Sequence, residues 1–228
     1  AAGIGAQLQS YIDAGGFGAV KMRVGSMDGR PQVSAERVRA ARAALGPQVE
    51  LMVDAHGTFT VAEAKRFATM VADCDLAWFE EPVTADDRAG LAEFRASTNI
   101  PVALGESECT RFDFAALAAG RTADILQPDP AFCGGITEAM RIAAIASAFN
   151  LRLAPHLWAG APCFFAGLHV IAAAPAGFIV EFSLGANPMI HDLSLAPVRA
   201  EAGMIAVPDG PGLGLEMNTD TIARYARA

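Results

Sequence analysis

Lysine is nearly missing from this chain: of 228 residues only Lys21 and Lys65 are lysine, against fifteen arginines. Surfaces that hold phosphate backbones or anionic lipid gather basic side chains, and here the balance is the opposite. The net charge is −8 and the pI is near 5.0, so neither nucleic acid nor a membrane surface is expected as a partner. Cysteine is scarce too. Cys74, Cys109, Cys133 and Cys163 show no CxxC spacing and no dense framework, which argues against a disulfide scaffold and suits a reduced, cytoplasmic setting. A bilayer-length apolar run is also lacking. Residues 153–180 carry no Asp, Glu, Lys or Arg, but Pro155, Pro162 and Pro175 break them up, leaving 163–174 as the longest proline-free piece. Those 12 residues are too few to cross a hydrocarbon core. The opening AAGIGAQLQSYIDAGG places no basic region ahead of an apolar run, so no signal peptide is expected.

What the chain does have is apolar content, 53% of its residues, far too much for a disordered segment. Strand-like runs at 19–24, 49–55, 76–81, 102–106, 123–129, 151–156 and 178–182 alternate with helix-like runs. A first helix is expected over 3–14, with Ile4, Leu8 and Ile12 on one face. In the next, Val38, Ala41, Ala44 and Leu45 recur at helical spacing, Ser34 can cap the start and Gly46 the end. Thr60, with Glu63 in capping-box spacing, and Thr137 can open two others.

Strand alternating with helix implies βαβ units and a parallel sheet buried on both faces. Polar residues stand near the strand ends: Lys21 and Arg23, Asp54 and His56, Glu80 and Glu81, Glu106, Asp129, His156, Glu181. Asp54 to Glu80 is 26 residues, Glu80 to Glu106 another 26, and Asp129, His156 and Glu181 follow at 23, 27 and 25. One polar group per βα unit predicts a ring converging on one mouth, as in a TIM-type barrel, rather than the single switch point of an open sheet. Seven strands would leave open edges. Either a first strand lies upstream, which we prefer, or MIAVP (204–208) fills the gap. The expected fold is therefore a (β/α)7β barrel over 1–199 with a C-terminal tail over 200–228.

Three carboxylates on consecutive strands, Asp54, Glu80 and Glu106, would repel strongly without a cation. Hard oxygen donors with no thiolate suit Mg²⁺ or Mn²⁺. In order along the chain, VKMRVG, LMVDAHG, WFEEP, ALGES, QPDPAFCGGIT, APHLW and VEF resemble the barrel motifs of the enolase superfamily, in its mandelate racemase and muconate lactonizing enzyme group. VPDGPGLGLE (207–216) resembles the segment after that barrel. The resemblance implies an N-terminal α+β capping domain and a first barrel strand ahead of residue 1. It implies Asp54, Glu80 and Glu106 as metal ligands, His156 with Asp129 as the acid/base dyad, and Glu181 as the acid that bonds the substrate carboxylate. Lys21 falls on the first lysine of the family's K-x-K motif, which neutralises that carboxylate. Homo-oligomers are common among such relatives.

Two positions depart from that pattern. Arg23 stands where the second lysine acts as a base, and a guanidinium is a poor base. A racemase needs acid/base groups on both faces of the α-carbon, whereas loss of water needs one. The expectation is thus a Mg²⁺-dependent sugar-acid dehydratase acting on a small-molecule carboxylate, with racemase, epimerase or cycloisomerase and a non-catalytic metal- or carboxylate-binding barrel as alternatives. The second departure is His56, two residues after Asp54 and so expected on the same interior face, as a substrate-binding group or a partner of Asp54. Trp158, beside His156, is a further substrate-binding candidate. Glu81 and Glu108 read as supporting groups, Gly134 and Gly135 as a close backbone approach to the site, and His169 as core. His191 has no matched role, and Lys65 reads as solvated.

Overall fold

The computed structural model describes residues 3–226. The chain divides into two compact units, one of Ala1–Leu104 with Ala116–Ile125, the other of Gly105–Ala115 with Leu126–Ala228.

The first unit opens with α1 (Ile4–Gly15), which buries Leu8 and ends at Gly16 in the left-handed region. There follow β1 (Ala19–Arg23), α2 (Pro31–Leu45), β2 (Glu50–Asp54), α3 (Val61–Met70), β3 (Leu76–Glu80), α4 (Arg88–Ala96) and β4 (Val102–Leu104). The strands pair in chain order and in parallel, with Arg23 level with Asp54 and Asp54 level with Glu80. β2, β3 and β4 are buried along most of their length, as a parallel sheet under helices must be, whereas β1 buries Val20 and Met22 and leaves Arg23 exposed. β3 shows the division of labour. Trp78 and Glu80 face one side, while Phe79 packs edge-on to Phe67 and Phe94 at centroid distances of 5.1 and 5.5 Å. Phe67 lies on α3 and Phe94 on α4, so those rings fix the strand that carries Glu80.

Helix starts follow the sequence in one case and depart from it in two. At α3 the capping box forms as expected: Thr60 Oγ1 accepts from Glu63 N–H and Glu63 returns the bond to Thr60 N–H. Ser34 does not cap α2. Pro31 begins the helix a turn earlier, and the buried Ser34 hydroxyl instead accepts from Gly25 N–H and donates to Asp28. Thr137 is likewise no cap, because Gly134, at φ +106, precedes a helix that starts at Gly135.

The second unit contains α6 (Gly135–Ala148), β6 (Arg152–Leu153), α7 (Ala161–Ala173), α8 (Pro188–His191) and α9 (Thr219–Tyr225). The division between units passes through α5 (Arg111–Ala119) and β5 (Ile125–Leu126). Its strands are two residues long, because the chain leaves the ladder well before the polar residue that each run ends on. The seventh run, 178–182, makes no strand of its own. The Leu153–Gly177 bridge comes just before it, and Phe178 N–H donates to Leu153 O at 3.3 Å. Segment 204–208 forms none either, apart from the Glu201–Met204 bridge. The apolar centre of this unit is α7, where Leu157, Phe164, Phe165 and Leu168 are covered by Val180 and Phe182 and by Ile205, Leu213 and Leu215 of the tail. Among the described residues no helix is long and apolar enough to cross a membrane.

Candidate active site

In the first unit the polar side chains meet at the ends of β1, β2 and β3. Lys21 lies mid-strand on β1, and its Nζ donates to both Glu80 oxygens at 2.7 Å. Trp78 Nε1 adds a bond to Glu80 Oε2 at 3.1 Å. Glu80 is fully buried, so an opposite charge at contact distance is what allows it to remain ionised.

Asp54 is held differently. His56 donates its backbone N–H to Oδ1 and places Nδ1 on Oδ2, both at 2.8 Å. Burial works to raise the Asp54 pKa, but the His56 bonds and the nearby Lys21 and His56 charges outweigh it and hold the group below 3.8. His56 does not reach Asp54 by strand alternation, as the sequence suggests. β2 ends at Asp54, and His56 sits in the turn beyond it with φ +47. Glu81, just past the end of β3, also has positive φ, at +39, and its carbonyl accepts from Gly57 N–H at 2.8 Å. Non-glycine residues in this region carry strain that neighbouring structure must hold, a trait of functional turns. Glu81 and Glu108 are buried.

Arg23, the last residue of β1, is exposed; its backbone carbonyl accepts from Arg37 Nη1 at 2.9 Å. The structure therefore brings Lys21 and Glu80 into contact, and His56 and Asp54, and leaves Arg23 exposed at the end of β1. Two buried carboxylates at paired register positions, one meeting an ammonium and the other an imidazole and a backbone amide, are the hard oxygen donor type that a divalent ion takes.

In the second unit the imidazole of His156 is the cation. Its Nδ1 lies 2.7 Å from Oδ2 of the fully buried Asp129, and its Nε2 lies 3.6 Å from Glu106 Oε2. Glu181 Oε2 accepts from the Leu157 N–H at 3.3 Å, next in sequence to His156. Burial depresses the His156 pKa. The Asp129 bond and the charges of Glu181, Glu106 and Asp129 more than reverse that, pushing it up to about 9. Asp129 is correspondingly held below 3.8, because its bonds to His156, Cys163 and Ala131 outweigh burial.

Sequence reasoning passed over Cys163. Its Sγ lies 3.1 Å from Asp129 Oδ1, and the thiol is buried among apolar groups. A cysteine within a charge-free run carries no signal beyond core packing, and its partner is 34 residues away. Trp158 is about half exposed, two residues past His156. His169 is not a core residue: it is half-buried and its Nε2–H donates to the tail carbonyl of Leu213 at 3.1 Å. His191 donates to Gly185 O, and Lys65 pairs with Glu93 in solvent.

The chain is 36% identical over 221 residues to the D-galactarolactone cycloisomerase of Agrobacterium fabrum, covering 93% of this chain and 57% of that protein. It is 30% identical over 217 residues to the arabinonate dehydratase of Saccharolobus solfataricus, covering 95% of this chain and 57% of that protein. It thus spans somewhat over half the length of these curated relatives. Among solved structures it resembles an enolase from Bradyrhizobium complexed with magnesium and mandelic acid, at TM-score 0.86 and 31% identity over 96% of this chain and 58% of that one. The enolase C-terminal domain-like family matches residues 3–221, a parallel α/β barrel domain, and the chain belongs to that family.

Proposed function

We propose that this chain is the catalytic barrel of a Mg²⁺-dependent sugar-acid dehydratase, removing the proton α to a carboxylate and expelling water to leave a 2-keto-3-deoxy acid. The observation that carries the reading is His156 held by a buried Asp129 carboxylate at 2.7 Å, with Arg23 two residues beyond Lys21 where a second base would stand.

Asp54, Glu80 and Glu106 would hold the metal. When bound, it would supply positive charge to the substrate carboxylate as that group becomes an enediolate. His156 does the proton chemistry. Its Nδ1 is committed to Asp129, which leaves Nε2 to take the α-proton as the Cα–H pair moves into the enediolate. At pH 7 the imidazole alone is mostly charged, and neutralising Glu106 removes one of the carboxylates that keep it so. Collapse of the enediolate breaks the β-carbon–oxygen bond, and the proton on His156 leaves with the hydroxide as water. Lys21 and Glu181 bind the substrate carboxylate. His56 faces a substrate hydroxyl and Trp158 the distal part of the substrate. The free thiols suit a cytoplasmic enzyme.

The test is incubation of the full-length protein with Mg²⁺ and a panel of sugar acids, following 2-keto acid. His156→Asn is expected to lower the rate by about 10²- to 10⁴-fold. Conversion without loss of water would favour the cycloisomerase reading, which the 36% identical relative supports. No product of either kind across the panel would overturn both.

A further inference from the structure

We propose that Cys163 is a positioning residue of the acid/base dyad, its thiol donating to Asp129 Oδ1 so that Oδ2 is aimed at His156. The two Asp129 oxygens have separate duties. Oδ2 meets His156 Nδ1 at 2.7 Å, while Oδ1 accepts the Ala131 N–H at 2.7 Å and the Cys163 S–H at 3.1 Å. A carboxylate can rotate about its Cβ–Cγ bond. The Ala131 bond comes from the chain two residues on and fixes one point. The thiol comes from the first turn of α7 and fixes a second, so the carboxylate plane is set from two elements.

The arrangement needs the sulfur to keep its proton, and its surroundings ensure that. Burial first, then the Asp129 bond and charge, push the Cys163 thiol up to about 12. It is therefore a donor to an ionised acceptor, which strengthens an otherwise weak bond, and it is inert as a nucleophile. Its place is also built. Leu157 and Phe164 pack around the same helix start, and Gly167, one turn on, has no Cβ to keep Leu157 off the helix. The kinetic part of this inference rests on the dehydratase reading; the bond itself does not.

The direct test is infrared spectroscopy of the S–H stretch, which lies in a window free of other protein bands. Wild type minus Cys163→Ser isolates one thiol of the four. A band moved to lower frequency than a free thiol is expected, returning part of the way in Asp129→Asn. A band at the free-thiol position, or one unmoved by Asp129→Asn, overturns the proposal; should Asp129→Asn fail to fold, the wild-type band position decides alone. On the sugar acid that the panel identifies, Cys163→Ala should lower kcat about three- to tenfold with KM unchanged, and Cys163→Ser should recover most of it. Equal losses in Ala and Ser would show that only volume matters and would also overturn it. If no sugar acid reacts, the dehydratase reading fails while the infrared result still decides the bond.

Discussion

Both units bury carboxylates at the ends of strands or a few residues beyond them, but they balance the charge differently. In the first, Glu80 is met by a lysine and Asp54 by the turn that carries His56. In the second, Asp129 is met by a histidine, a thiol and a backbone amide. The counter-charge of Glu80 is a permanent cation from another strand, suited to compensating a buried acid at any ordinary pH. That of Asp129 is an imidazolium that gives up its proton as pH rises through about 9. A strand-end carboxylate tells where charge will sit; its partner tells what the charge is for.

The comparison breaks most severely at Lys21. Lys21→Met removes the ammonium from a fully buried Glu80, and loss of one partner of a buried pair is costly. We expect about 2–4 kcal/mol less stability in urea unfolding. If a divalent ion can take the place of the ammonium, added Mg²⁺ should raise the Tm of the variant more than that of wild type. Equal shifts would show that Lys21 and the ion do not share Glu80.

The second half is tested through its packing. Gly167 lies on α7, and a methyl group there would overlap the Leu157 side chain, with Cγ 3.0 Å away. Leu157 is fully buried and its N–H bonds Glu181, so it cannot swing out to make room. Gly167→Ala should cost about 1–3 kcal/mol as overpacking. Gly18→Ala, at a position with open space around it, should change stability by less than about 0.5 kcal/mol. Similar losses in both would mean that α7 adjusts freely.

Much of this architecture is legible in the chain because βα units repeat one polar residue each. Asp54, Glu80, Glu106, Asp129, His156 and Glu181 stand out by spacing alone, and the Thr60 capping box by its local pattern. What escapes the sequence depends on partners that are distant along the chain. Ser34 looks like a cap until Gly25 and Asp28 claim its hydroxyl. FIVEF has the composition of a strand, but a strand needs a continuous ladder, which this run does not form. His56 faces Asp54 through a left-handed turn that period-two alternation cannot anticipate. Cys163 is invisible because nothing in an apolar helix marks the one side chain that touches an acid.

The finest test concerns pH. The folded pKa of His156 is raised from 6.5 to about 9, so its contribution to stability is complete below pH 6.5 and lost as pH rises through about 9. Asp129 is shifted the other way, so its contribution holds above pH 3.8 and fades as pH falls through its lower folded value. Asp129→Asn removes the largest attraction on the imidazolium but leaves Glu181 and Glu106. The loss of stability between pH 6.5 and 9.5 should therefore shrink by about 1 kcal/mol relative to wild type, and not vanish. Unfolding free energies of the two proteins at pH 6.5 and 9.5 decide it: an unaltered slope in Asp129→Asn would mean that the raised pKa of His156 is set by Glu106 and Glu181, and that Asp129 orients the ring without charging it.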